Sequence, residues 1–257
     1  MSSSPLAAIV IPARYASSRL PGKPLLRQTG KYLIEHVYER ASQSTLAREV
    51  IVATDDERIA NAVQSFGGKV VFTRADHPSG SDRVAEVAEN LSAEIIVNLQ
   101  GDEPLIDPAS LDLVITLLRD DPRAEMATLA TPLVSLEQYH SPNCVKVVCD
   151  DQGRALYFSR SPIPSVRDGQ PDLSARPPRF LQHIGLYAYR RNFLLRLAQL
   201  PPAPLENLEK LEQLRALASG CVIPVGLVDR PTLGVDTYDD YVQFVQLYNQ
   251  LSSARAA

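Results

Sequence analysis

The sequence predicts an α/β fold: a three-layer α/β/α body on a mostly parallel sheet, with a smaller mixed-sheet extension late in the chain. Three observations carry this. Short apolar, β-branched runs alternate with amphipathic helical patterns through the first half, as strands buried on both faces of a parallel sheet require. After about residue 143 the alternation gives way to neighbouring strand-like runs. The chain has 257 residues, 45% of them hydrophobic, enough for a substantial core.

The elements follow in order. "LAAIVIPA" (6–13) reads as a buried strand and "YLIEHVYERASQ" (32–43) as an amphipathic helix. "EVIVATD" is the next strand; "DERIANAVQSFG" is a helix begun by an Asp cap and ended at Gly67-Gly68. "KVVFT" is a strand, and "DRVAEVAENL" a helix. "EIIVNLQ" is a strand, "DPASLDLVITLLRD" a helix with Pro108 in its first turn, and "EMATLATPL" a strand. Further on, "CVKVVCD" and "RALYFSR" form a hairpin about Gly153, and the Pro- and Gly-rich stretch 166–179 is a loop. "FLQHIGLYAYR" is strand-like, and "PLENLEKLEQLRALASG" reads as one helix stopped by Gly220. "CVIPVGLV" is a strand, and "TYDDYVQFVQLYNQL" a closing helix capped by Thr237.

Several function classes are excluded or disfavoured. A net charge of -4 argues against a protein that coats nucleic acid. Cys144, Cys149 and Cys221 are odd in number and offer no metal-ligand spacing, so reduced, buried thiols in a cytosolic protein are expected. The beginning "MSSSPLAAIVIPARY" lacks the features of a signal peptide. No apolar run approaches the roughly 20 residues of a membrane span. A cytoplasmic protein without membrane insertion is the expectation.

The basic residues are instead concentrated locally. "IPARYASSRLPGKPLLRQTGK" (11–31) holds Arg14, Arg19, Lys23, Arg27 and Lys31, and no Asp or Glu precedes Glu35. Open parallel sheets bind ligands at the carboxyl ends of their strands, so a cationic, glycine-containing loop there suggests a phosphate site. No GxxxxGK[ST] and no GxGxxG follows a strand, which argues against a P-loop ATPase or an ordinary dinucleotide-binding dehydrogenase. On composition alone, a solvated surface loop balancing acidic neighbours is the competing, slightly weaker reading.

"PARYASSRLPGKPL" resembles the signature loop of sugar nucleotidyltransferases, in particular the Kdo (3-deoxy-manno-octulosonate) cytidylyltransferases. The resemblance extends, in order, through "TRADHPSGSDR" (73–83), "NLQGDEP" (98–104), "ALYFSRSPIP" (155–164), "HIGLYAYR" (183–190), "PLENLEKLEQLR" (204–215) and "GVDT" (234–237). It implies a single nucleotide-diphospho-sugar-transferase-like domain over 1–257. Within it, 1–142 forms a nucleotide-binding half, 143–230 an acceptor-sugar and dimerisation extension, and 231–257 a closing metal-site segment and helix.

The implied chemistry is transfer of CMP from CTP to the anomeric hydroxyl of Kdo, giving CMP-Kdo and pyrophosphate for surface-glycan synthesis. Such a transfer needs charge neutralisation, a metal at the α-phosphate and an in-line hydroxyl. By resemblance, Arg14 and Lys23 reach the phosphates, with Lys23 stabilising charge on the α-phosphoryl oxygens. Arg19 and backbone groups from Ala13 to Ser17 assist. The turn His77, Pro78, Ser79, Gly80 lies against the cytosine, and Gln100 faces both substrates. Asp102 and Asp236, from distant strand ends, match the family's metal pair and suit Mg²⁺, a hard cation that completes its shell with phosphate and water. Taken alone, Asp236 reads rather as a helix cap, and it is the match to the family's pair that favours metal ligation. Arg160, His183, Tyr187, Glu212 and Gln213 match the sugar pocket; the single-helix reading sets Glu209 and Gln213 on one face. The family also implies a homodimer.

Departures lie mainly in the acceptor half. The family commonly has Trp after "IP", and this chain has none; Ser81 replaces a usual Thr; and loop 166–179 is its own. Sialate or an amino-substituted Kdo are therefore alternative acceptors, and a non-catalytic nucleotide-sugar-binding module is the alternative from another class.

Overall fold

The computed structural model describes residues 6–16, 19–231 and 233–256, and the chain divides into two compact units. One comprises Leu6–Asp112 with Thr232–Ala257; the other is built on Leu113–Pro231.

The first unit carries four parallel strands: β1 (Ala7–Pro12), β2 (Ala47–Thr54), β3 (Val70–Phe72) and β4 (Ile95–Asn98), in spatial order β3-β2-β1-β4. In β1 Ala8 to Ile11 are fully buried, because this central strand has neighbours on both edges and layers on both faces. Its Ile9 lies opposite Val50 and Val97. The connections are α1 (Leu33–Ala41), α2 (Glu57–Ser65) and α3 (Gly80–Glu89). Right-handed crossovers put α1 and α2, which step outward to β2 and β3, on one face. They put α3, which carries the chain back past β1 to β4, on the other. The strand order therefore reverses between β1 and β4, where such sheets bind ligands.

Local chemistry explains the helix starts. Asp56 accepts from the Arg58 backbone N–H at 2.9 Å to cap α2. Glu35 accepts from the Tyr32 backbone N–H at 3.1 Å, closing the first turn of α1. That helix buries Leu33, Ile34 and Val37, each stabilising by about 1.5–3 kcal/mol. His36, also buried, meets Thr29 Oγ1 at 2.7 Å. α4 (Pro108–Asp120) begins at its proline as expected, and α9 (Tyr238–Ala256) closes the unit. A core cluster of Leu20, Leu33, Val235, Tyr241 and Phe244 seats α9.

In the second unit, β5 (Met126–Pro132) pairs antiparallel with β8 (Leu181–Arg190) and parallel with β9 (Val225–Leu227). β6 (Lys146–Cys149) and β7 (Ala155–Ser159) form the expected hairpin, with Gly153 at φ 74°, and β6 also pairs with β8. Lys146, fully buried, donates to the carbonyls of Ser141, Cys144 and Arg160 at 2.6–2.8 Å. The short helices α5 (Leu136–His140) and α6 (Arg191–Leu197) were outside the sequence expectation.

One expectation is corrected. The stretch 204–220 is not one helix: α7 (Pro204–Glu209) and α8 (Gln213–Ala218) are separated by Lys210, whose backbone is left-handed at φ 53°. Glu209 and Gln213 therefore do not share a helical face. Glu209 instead accepts from Ser159 Oγ at 2.6 Å and from the Arg160 backbone N–H at 2.9 Å. Local hydrogen bonding to β7 outweighs the modest cost of an αL lysine.

Candidate active site

Beyond β1 the chain makes one further sheet bond, Ala13 N–H to Ala53 carbonyl at 2.9 Å, and then turns away. The Gly22 N–H donates to the Tyr15 carbonyl at 3.0 Å, so residues 15 and 22 bracket a closed loop. Gly22 sits at φ 69°, where a β-carbon is strained. A single 3₁₀ turn, Lys23–Leu25, follows, and buried Leu20 anchors the loop's inner side. Arg14 and Lys23 flank the bracket, and Arg19 lies within it.

The end of β4 approaches the same place. Leu99 N–H donates to the Val10 carbonyl at 3.1 Å. A β-carbon on Gly101 would sit 3.0 Å from the Pro12 carbonyl oxygen, so the close approach depends on glycine. The Val235 N–H then donates to the Asp102 carbonyl at 2.8 Å, bringing the distant "GVDT" segment alongside "NLQGDEP".

This bears on the helix-cap reading of Asp236. The α9 cap is made by Thr237 Oγ1, which accepts from the Asp240 N–H at 3.2 Å, and by Asp240 Oδ2, which accepts from Thr237 N–H at 2.8 Å and Asp236 N–H at 3.0 Å. The Asp236 side chain turns instead to cations. Lys23 Nζ lies 2.7 Å from Asp102 Oδ2 and 3.4 Å from Asp236 Oδ1, and Arg19 Nη2 lies 3.0 Å from the same Asp236 oxygen. The Lys23 side chain is only 13% exposed, so its charge is weakly screened.

These groups line a cleft of about 250 Å³ within the first unit. Its walls include Ala13, Arg14, Arg19, Lys23, His77, Ser79, Gly80, Gln100, Asp102 and Asp236. Pro78 does not line it, and Ser17 lies outside the described residues. Ser79 caps α3 by accepting from the Asp82 N–H at 3.2 Å, so that helix begins at the cleft wall with its N–H groups there. His77 contacts the Glu86 carboxylate through Nε2.

Arg83 was not singled out by the sequence reading, yet it also lines the cleft. It is 4% exposed, donates to Thr73 Oγ1, and pairs with Asp55 at 3.2 Å. The available signal was a charged residue among the apolar positions of an amphipathic helix, a pattern that marks a paired, buried ion.

Of the acceptor candidates, Gln100 lies in this cleft and the other five lie in the second unit. The β5–β8 register shifts between Thr128 and Leu129, leaving Gly185 and Leu186 as extra residues in β8. The Thr128 hydroxyl spans this bulge, 3.1 Å from the Ile184 carbonyl, 2.9 Å from the Leu186 carbonyl and 3.0 Å from His183 Nε2. Burial lowers His183 to a pKa of about 3, so the imidazole is neutral. The Tyr187 ring lies 5.5 Å from the His183 ring, and burial together with the Glu212 carboxylate holds its phenol well above the usual range. Buried Gln213 has no hydrogen-bond partner for Nε2. Arg160 donates through Nε to the Glu209 carbonyl at 2.7 Å, through Nη1 to the Pro142 carbonyl at 2.9 Å and through Nη2 to the Lys210 carbonyl at 3.4 Å.

Asp102 and Asp236 offer oxygen donors only, the set a hard divalent cation prefers. Among the described residues no group of three or more His, Cys, Asp or Glu could hold a metal ion. The pair thus fits a cation that takes the rest of its shell from phosphate oxygens and water.

Residues 8–223 match the family model described as cytidylyltransferase. The chain is 55% identical to a 3-deoxy-manno-octulosonate cytidylyltransferase of Syntrophotalea carbinolica, over 91% of this chain and 95% of that one. It is 53% identical to the Geobacter sulfurreducens protein of the same description, over 90% and 94%. Among solved structures, it is similar to CMP:2-keto-3-deoxy-manno-octonic acid synthetase complexed with CTP, at 48% identity and a TM-score of 0.89, covering 95% and 99% of the two chains. A 4-diphosphocytidyl-2C-methyl-D-erythritol synthase from Anaerococcus prevotii shares the fold, with a TM-score of 0.61 at 14% identity over 96% and 97%.

Proposed function

The chain belongs to the 3-deoxy-manno-octulosonate cytidylyltransferase family, and on that premise we propose that it transfers CMP from CTP to the anomeric hydroxyl of Kdo. Pyrophosphate is the second product, and Mg²⁺ is required. The observation that carries this reading is the meeting of Lys23, Asp102 and Asp236, from three remote segments, in the cleft beside the cationic loop.

Arg14 and Arg19 neutralise the triphosphate, and the Ser79–Gly80 helix start adds N–H donors. Lys23 leaves its carboxylate partners for the α-phosphoryl oxygens, where charge grows as pyrophosphate departs. Asp102 and Asp236 would hold the cation, which when bound would polarise the α-phosphate as a Lewis acid and lower the pKa of the attacking hydroxyl. Ser79 and Gly80 of the turn read the cytosine edge, and His77, held by Glu86, keeps the turn in place.

In the second unit, Gln213 and Tyr187 bind sugar hydroxyls, and the unpartnered Gln213 Nε2 supports that role, since a buried amide without an acceptor is unfavourable. Arg160 keeps a second N–H on each Nη atom for the sugar carboxylate. The product feeds surface-glycan synthesis, and the reaction takes place in the cytoplasm, where CTP is made. No helix among the described residues is long and apolar enough to cross a membrane. We also place a homodimer interface on the second unit, whose exposed Val134, Leu156 and Leu208 supply apolar surface. Light scattering on the purified protein tests the dimer.

The central test is coupled pyrophosphate release from CTP with Kdo, 8-amino-Kdo or sialate, with Mg²⁺ and with chelator. Release with Kdo that chelator abolishes is expected. A preference for another acid reassigns the acceptor, and no release with any of them favours a binding module.

A further inference from the structure

The cationic loop is bracketed by one backbone hydrogen bond, Gly22 N–H to the Tyr15 carbonyl, with Arg14 and Lys23 immediately outside it. Whatever holds Tyr15 therefore sets where both cations sit. Gly22 and Arg58 both lie against the Tyr15 ring. A β-carbon at Gly22 would lie 3.1 Å from its Cε2, so the ring rests against bare backbone there. The Arg58 guanidinium carbon lies 3.3 Å from the ring centroid, a close stack of planar cation on aromatic face.

Arg58 is itself immobilised. Its Nε donates to Asp56 Oδ1 at 3.0 Å and its Nη2 to Asp56 Oδ2 at 2.6 Å, a two-point fork. Asp56 is in turn fixed as the cap of α2. A chain of contacts thus runs from the end of β2 through Asp56, Arg58 and Tyr15 to the bracket of the loop. None of these three side chains belongs to the catalytic groups assigned above.

We propose that Arg58, acting through Tyr15, is a positioning residue that holds the Tyr15–Gly22 bracket, and with it the flanking Arg14 and Lys23, in place before CTP arrives. The inference rests on the CTP reading of the cleft. Its effect is on affinity: a bracket fixed beforehand loses less freedom on binding, whereas bound triphosphate fixes it whether or not the stack is present. The role needs a plane and a fork, so lysine cannot replace arginine.

The experiment measures CTP binding by calorimetry, alongside KM and kcat, for Arg58→Ala, Arg58→Lys, Tyr15→Phe, Tyr15→Ala and the double alanine variant. Arg58→Ala should raise the CTP Kd about two- to fivefold, the range of an exposed cation–aromatic contact. Its kcat at saturating CTP should match wild type. Arg58→Lys should not restore affinity, Tyr15→Phe should bind like wild type, and the double variant should bind no more weakly than Tyr15→Ala. Arg58 is exposed, so its variants fold even where Tyr15→Ala does not. An unchanged Kd in Arg58→Ala, or losses that add in the double variant, overturns the proposal. A wild-type protein that does not bind CTP overturns both it and the functional reading.

Discussion

Replacing Lys23 by alanine isolates the chemical role of one charge. In the structure the ammonium already has anionic partners, Asp102 at 2.7 Å and Asp236 at 3.4 Å. Moving it to a phosphate oxygen exchanges one anion for another, so ground-state CTP binding gains little. The gain comes when negative charge builds on the α-phosphoryl oxygens, in a site where the side chain is 13% exposed and solvent screens poorly. Removing a single preorganised donor of this kind costs about 3 kcal/mol, or on the order of 10²–10³ in kcat. Lys23→Ala should therefore lower kcat by that factor and change the CTP KM by less than about tenfold. Single-turnover kinetics of CMP transfer, with saturating CTP and Mg²⁺, would read the effect directly. A kcat within about threefold of wild type, or a loss confined to KM, would refute the assignment.

Further outcomes follow from other contacts. Asp102→Asn should nearly abolish activity while circular dichroism stays native; activity retained across a Mg²⁺ titration would count against metal ligation. Gln213→Met removes a buried amide nitrogen that has no partner, so it should leave the melting temperature unchanged or raised while increasing the KM for the sugar acid. A lowered melting temperature with normal KM would contradict this. His36, buried beside Phe244 and Tyr248, has its pKa lowered from 6.5 to about 4, chiefly by desolvation. Between those values the unfolded chain binds the proton and the folded one does not, so stability is full above about pH 6.5, falls on acidification and levels off below about pH 4. The loss from this group is at most about 3 kcal/mol. Urea unfolding of His36→Leu at pH 7, 5.5 and 4 should show a shallower pH slope than wild type, and an equal slope would remove His36 as the cause.

Much of this was legible in the sequence because the signals are local. The β1 and β4 runs, the Asp56 and Thr237 caps and the Gly153 hairpin each depend on a few neighbouring residues. So does the concentration of cations in one loop, and the structure brings two of them, Arg19 and Lys23, to the two predicted carboxylates. What escaped depends on partners distant in sequence or on short range. Lysine favours helices, and "ENLEKLEQLR" keeps a helical pattern through Lys210, so nothing local marks the break that Glu209 takes to reach Ser159 and Arg160. That β8 runs antiparallel to β5 was equally hidden, since a buried apolar run reads alike beside a parallel or an antiparallel neighbour. α5 and α6 are too short for a 3.6-residue period to declare itself. The Arg83–Asp55 pair required knowing that α3 passes the end of β2.

The late position of Asp236 bears on how the protein is made. Every other charged group assigned to the phosphate cleft is synthesised by residue 102, whereas this carboxylate emerges more than a hundred residues afterwards, tied to Asp102 through the neighbouring Val235 amide. A nascent chain can fold its strands and gather its arginines while still attached to the ribosome. If the pair acts together as proposed, turnover waits until this later segment has been made and has folded back beside Asp102.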